Sequence, residues 1–245
     1  MRCQPQLKSM VYKCANNNQA CLLCNETSEQ PYPLCVACEV ELPWLEDGCQ
    51  VCALPLAMQG MTCAQCSRRA PAYYRVEAPW HYGFPLDALI SRFKYHSQWP
   101  LGRLLAQLLG RWLTHRFNDG LPRPALLLPV PLSRRRLRQR GYNQAAMLAG
   151  WLAAHTGIAC HERALKRLID TPAQQGLKAR ERMRNLRQAF AVENAAALEG
   201  RHLALVDDVL TTGATAQALA SLLLKAGARR VDVYCLARTA KPGSA

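Results

Sequence analysis

The stretch Leu205-Val206-Asp207-Asp208-Val209-Leu210-Thr211-Thr212-Gly213-Ala214-Thr215 sets two carboxylates at the carboxyl end of an apolar strand and a small-residue turn at the start of a helix. A helix start exposes unpaired N–H groups and the positive end of the helix dipole. Threonine hydroxyls beside a glycine let that backbone close around a phosphate. Asp207 and Asp208 repel a phosphate and need another partner, either ribose hydroxyls, which donate hydrogen bonds, or a magnesium ion. Phosphate, ribose and Mg²⁺ together describe a phosphoribosyl group. The chain has no G-x-x-x-x-G-K-S/T and no G-x-G-x-x-G, so motor ATPases and dinucleotide enzymes are poor matches.

Working outward from this loop, the pattern alternates short apolar runs with helical periodicity. Ala125–Val130 and His202–Val206 read as buried strands, and Val231–Leu236 ends the series. Helices are expected over Leu86–Phe93 and Leu101–Trp112 with a break near Pro100, then from about Ala145 to His155 with Gly157 as the stop, and from about Ala214 to Lys225 before Gly227. Tyr73–Tyr82 alternates like a strand or hairpin. The expected fold is an open parallel α/β sheet with helices on both faces.

The first seventy residues follow a different rule. Cys21 and Cys24, Cys35 and Cys38, Cys49 and Cys52, and Cys63 and Cys66 form four CxxC pairs whose starts lie fourteen residues apart. Two residues between thiolates let one tight turn aim both sulfurs at one cation, and two such turns complete the four-sulfur shell that zinc prefers. Eight ligands make two closed structural sites, expected in sequential order, with an interleaved order left open by the spacing. A disulfide framework, an iron–sulfur site and a thioredoxin-like pair lack the signal peptide or the βαβ context they would need. Cys160 and Cys235 sit in apolar, strand-like surroundings and read as small core residues.

The expected organisation is a tail over 1–20, a double zinc ribbon over 21–70, an α/β domain over 71–240 and a second tail over 241–245. The seam is placed at Ser67–Pro71, which is polar, basic and ends in proline. Charge divides along the same seam. Residues 1–70 hold five Lys or Arg and six Asp or Glu, whereas the remaining 175 hold 26 against 11. Two four-thiolate zinc sites take the first segment from −1 to a formal −5, beside a body at +15. Such a body attracts polyanions, including nucleic acid and polyphosphates. No apolar run reaches the length of a membrane span, and Asn16–Gln19 interrupts any signal-peptide core, so the chain is expected in a reducing cytoplasm.

Two basic runs stand out. Arg134, Arg135, Arg136, Arg138 and Arg140 follow the Leu126–Pro131 strand at its carboxyl end, where ligands collect in such sheets, and they are candidates for pyrophosphate or DNA phosphate. Lys178, Arg180, Arg182, Arg184 and Arg187 form the second run, for which a solvated face is an equal reading.

The Asp207–Thr215 loop resembles the nucleotide-binding signature of the type I phosphoribosyltransferases. By that resemblance Thr211, Thr212, Gly213, Ala214 and Thr215 hold the 5′-phosphate of phosphoribosyl pyrophosphate, with Mg²⁺, and Asp207 with Asp208 holds the 2′- and 3′-hydroxyls. Thr211 stands where relatives of the hypoxanthine-guanine type carry an acid, so no general base for a purine is supplied there. Together with the cysteine head, Pro129-Val130-Pro131, Arg140-Gly141-Tyr142-Asn143-Gln144 and the Gln175…Leu177…Arg182…Asn185…Phe190 segment, the loop resembles the ComF family of competence-related proteins over residues 21 to about 240. The resemblance implies uptake or utilisation of DNA: handling of internalised single-stranded DNA beside a partner of the import machinery, for which a helicase is a candidate. An active phosphoribosyltransferase of nucleotide salvage, or a phosphoribosyl sensor without DNA contact, is the alternative. Tyr142 and the nearby arginines are expected to offer stacking and phosphate contacts to a strand.

Overall fold

A computed structural model describes residues 19–169 and 188–240. The second basic run, Lys178–Arg187, therefore lies outside the described residues, as do 1–18 and 241–245. The chain forms two compact units that meet in sequence at Glu41 and Leu42.

In the first unit β1 (Gln19–Ala20) pairs antiparallel with β2 (Thr27–Ser28), and α1 (Val36–Val40) follows. Ser28, fully buried, donates its hydroxyl to the carbonyls of Tyr32 (3.0 Å) and Leu34 (2.8 Å), which fixes the turn leading to Cys35.

The second unit opens with the Cys49–Cys66 turns and α2 (Ala64–Arg68). Then come β3 (Val76–Glu77), β4 (Trp80–His81), α3 (Leu86–Tyr95), α4 (Trp99–Asn118), β5 (Leu126–Pro129), α5 (Arg134–Arg140) and α6 (Gln144–Thr156). A small antiparallel pair, β6 (Leu165–Arg167) and β7 (Phe190–Val192), precedes β8 (His202–Leu210), α7 (Ala214–Lys225) and β9 (Arg230–Arg238). The sheet runs β3-β9-β8-β5, all parallel, with β4 also paired to β9. Leu203–Val206 and Val231–Ala237 are buried residue after residue, as a covered parallel sheet requires. α6 packs on β5 and β8, and α7 packs on β8 and β9.

The strand–helix order follows the sequence reading, with three differences. Tyr73–Tyr82 makes no hairpin: its two short strands each lie parallel to β9. Pro100 does not break a helix but occupies the first turn of α4, where a missing N–H costs nothing. The break falls at His96–Gln98, where Ser97 takes φ +52. β8 also runs past Val206 to Leu210, so both aspartates lie within the strand.

Cys49, Cys52, Cys63 and Cys66 are all buried, in the same hydrophobic cluster as Leu128, Leu205, Leu219 and Val233. The second cysteine set thus folds as part of the sheet domain's core. Cys235 is fully buried opposite Asp207 in β9, and Cys160 is half-buried beside Leu127.

Candidate functional site

The carboxyl ends of β8 and β5 open into a cavity of about 360 Å³ lined by Asp207, Asp208, Thr211 and Thr215 on one side and by Arg136, Arg140 and Lys94 on another, with Arg167, Tyr82 and Thr239 completing the rim. Four cations face two carboxylates, a balance that favours an anionic occupant. The cavity thus brings together the aspartate pair, two threonines of the loop and two of the five arginines. Thr212, Gly213 and Ala214 shape the turn behind it, and Arg134, Arg135 and Arg138 lie outside its wall.

Gly213 takes φ +73 and starts α7 with no side-chain cap, while Thr212 Oγ1 accepts from the Ala214 amide at 3.3 Å. A Cβ at Gly213 would sit 3.2 Å from the Tyr73 hydroxyl, so this position needs glycine for both conformation and space. Asp207 Oδ1 accepts from the Asp208 amide at 2.9 Å, and Asp208 is ion-paired to Lys94 at 2.8 Å. Burial, helped by the neighbouring Asp208 charge, pushes the Asp207 carboxyl up to about 7 against the opposing pull of Lys94 and Arg136.

Each residue of Arg140-Gly141-Tyr142-Asn143-Gln144 has a place. Gly141 closes α5 at φ +78, and Asn143 caps α6 by accepting from the Ala145 amide (3.1 Å) while donating to the Val130 carbonyl (3.1 Å). Arg140 donates to the buried Gln144 (2.9 Å) and to the Tyr95 hydroxyl (3.1 Å), with its guanidinium over the Tyr95 ring. Tyr142, expected as a stacking surface, is instead committed inward. Its hydroxyl donates to the Phe93 carbonyl, and its ring packs against Phe93 and Trp99. A second basic recess of about 530 Å³, lined by Lys94, Tyr95, Ser97, Arg136, Gln139 and Arg140, shares three cations with the first.

The sequence reading missed Lys94, Arg167 and Arg238. Lys94 follows the helical pattern of α3, and nothing local distinguishes it from a solvated lysine.

The metal centres follow the sequential order. Cys21, Cys24, Cys35 and Cys38 gather in one set and Cys49, Cys52, Cys63 and Cys66 in the other, with all ligand atoms of a set within 4.8 Å of one another. A tetrahedron with zinc–sulfur bonds of 2.3 Å has sulfur–sulfur edges of about 3.8 Å. Cys24 Sγ lies 3.6 Å from Cys35 Sγ, and Cys52 Sγ lies 3.7 Å from Cys63 Sγ. Burial raises the Cys49 thiol, but the amides of Cys63, Cys52 and Val51 outweigh it and hold it at about 7, favouring the thiolate a metal needs. Both sets fit structural Zn²⁺, and neither leaves an open ligand position for chemistry.

The double zinc ribbon domain family matches residues 18–67. The DNA utilization protein YhgH of Salmonella typhi is 38% identical over 192 residues, covering 78% of this chain and 84% of its own length. Competence protein F of Haemophilus influenzae is 35% identical over 209 residues, covering 84% and 90%. Among solved structures, the purine phosphoribosyltransferase of Pyrococcus horikoshii overlaps 55% of this chain and 74% of its own, at 16% identity and a TM-score of 0.36. No helix among the described residues is long and apolar enough to cross a membrane.

Proposed function

The chain belongs to the ComF family of competence protein F and the DNA utilization protein YhgH, and from that premise we propose that it handles internalised single-stranded DNA through a body that also takes a phosphoribosyl pyrophosphate-type ligand. One observation carries this reading: a single cavity holds the Asp207/Asp208 pair, Thr211 and Thr215 of the loop, and the Lys94, Arg136 and Arg140 cations. In this reading the first turn of α7 receives the 5′-phosphate, and Arg136 and Arg140 receive the pyrophosphate. Asp207 and Asp208 accept from ribose hydroxyls or hold Mg²⁺, which would neutralise a leaving pyrophosphate. The exposed arginines of α5 give a strand its phosphate contacts, and the second basic recess shares Lys94, Arg136 and Arg140 with the cavity. The zinc ribbon docks a protein of the import machinery in the cytoplasm.

A second reading, a transferase or sensor without DNA contact, is favoured by the enclosed aspartate pair alone. Calorimetric titration with phosphoribosyl pyrophosphate, with and without Mg²⁺, beside titration with an oligonucleotide, divides the two. Binding of both ligands supports the first reading, and binding of the small ligand alone supports the second. Pyrophosphate release across a panel of bases would identify a transferase.

A further inference from the structure

Arg238, the last residue of β9, is 7% exposed and reaches in two directions. Its Nε donates to the Cys52 carbonyl at 2.9 Å, within the turn of the second cysteine set. Its Nη1 donates to the carbonyls of Leu210 (3.0 Å), Thr211 and Thr239 (2.8 Å), at the root of the phosphate loop. These acceptors are carbonyl oxygens, and no carboxylate is among them. A buried guanidinium satisfied only by dipoles still needs a counter-charge. Zn²⁺ with four thiolates would carry a formal −2, and Cys52, whose carbonyl Arg238 holds, is one of the four ligands.

Other contacts join the same two places. The Tyr73 hydroxyl lies against Gly213, the Ala72 amide donates to Gln217 of α7 at 2.7 Å, and the Val76 amide donates to the Val51 carbonyl at 2.9 Å. The turn between Cys49 and Cys52 is therefore tied through Val51 to β3 and through the neighbouring Cys52 and Arg238 to the loop.

We infer that Arg238 is a positioning residue through which metal at Cys49, Cys52, Cys63 and Cys66 sets the geometry of Thr211–Thr215, so that loading of the second site, and not the first, controls the loop's affinity for a phosphate-bearing ligand. The affinity clause rests on the phosphoribosyl reading; the geometric clause stands without it. Linkage makes the effect reciprocal: ligand in the loop tightens zinc binding at the second site by the same factor.

The test uses the full chain with zinc. Amide hydrogen exchange is followed in peptides covering 205–219, with 144–156 of α6 as the control, alongside titration with Mg²⁺ and phosphoribosyl pyrophosphate. Cys52→Ser should speed exchange at the loop and weaken ligand binding by about tenfold, a typical size for coupling between sites. Cys24→Ser should change neither. Arg238→Met should reproduce the loop effect with both zinc ions retained and should abolish the ligand's tightening of zinc binding, read by competition with a chelator, which a residue serving stability alone would not do. Arg238→Lys, which keeps the charge without the fork, should restore part of it. If Cys52→Ser also loosens α6, the Arg238 pair decides. Equal loop exchange in wild type and Arg238→Met overturns the inference. Loop exchange that follows the second site in a protein that takes no phosphoribosyl pyrophosphate overturns the ligand reading and leaves the positioning role standing.

Discussion

Lys94 Nζ lies 2.8 Å from Asp208 Oδ1, joining the last turn of α3 to a strand more than a hundred residues later, with both side chains largely withdrawn from water. Removing one member strands the other. Lys94→Ala should cost about 2 kcal/mol in urea unfolding, the penalty of an unpaired, partly buried carboxylate. Lys94→Met combined with Asp208→Asn should recover much of that loss, and equal costs in the single and double variants would remove the pair from the stability account.

Asp207 makes stability and binding respond oppositely to pH. Its folded value of about 7 stands above the ordinary 3.8, so between these limits the folded chain holds the proton more tightly than the unfolded one. The stability contributed by the protonated form is fully present below pH 3.8 and is lost as pH rises through about 7. Asp207→Asn should therefore raise the melting temperature of the ligand-free protein at pH 8 by more than at pH 5. Ligand affinity should run the other way. If the ionised carboxylate accepts from ribose or holds Mg²⁺, affinity for phosphoribosyl pyrophosphate rises with pH until Asp207 is ionised, and Asp207→Asn should flatten the part of the profile that the ligand's own phosphates do not explain.

The arginine run divides between two positions. Arg134 and Arg138 are exposed and off the cavity wall, whereas Arg136 is on it. Arg134→Ala with Arg138→Ala should flatten the logarithmic salt slope for single-stranded DNA by about 1.4, at roughly 0.7 per phosphate contact, and leave small-ligand affinity alone. Arg136→Ala should reduce small-ligand affinity. An unchanged slope in the paired variant takes α5 out of the DNA surface.

Purified under reducing conditions without chelator, the protein should carry two zinc ions per chain. Cys21→Ser and Cys49→Ser should each release one. Because the second set lies in the sheet domain's core, only Cys49→Ser should lower that domain's melting temperature. Zero zinc, or iron–sulfur absorption bands, would contradict the assignment.

What was legible in the sequence was what is local. Asp207–Thr215 announces itself because strand, turn and helix start are contiguous, and α7 occupies the expected Ala214–Lys225. The CxxC spacing likewise encodes its own geometry, although only the folded chain selects sequential over interleaved pairing. Lys94 and Arg238 were invisible because their partners come from distant elements: the Lys94–Asp208 pair spans α3 and β8, and the Arg238–Cys52 contact spans 186 positions. Tyr142 misled for a related reason. Its place at the mouth of α6 suggests exposure, and only the packing of α3 and α4 turns the ring onto Phe93 and Trp99. Partner choice for β3 and β4 was equally hidden, since alternation describes a strand and not its neighbour.

We propose the cavity between β8 and α5 as a phosphoribosyl site. Calorimetric titration of wild type and of the Asp207→Asn, Asp208→Asn double variant with phosphoribosyl pyrophosphate and Mg²⁺ tests it most directly, with near-ultraviolet circular dichroism to show that both are folded. Saturable binding to the wild type that disappears in the folded double variant is the predicted result. Equal binding in the two proteins, or no binding by the wild type at millimolar ligand, would contradict it.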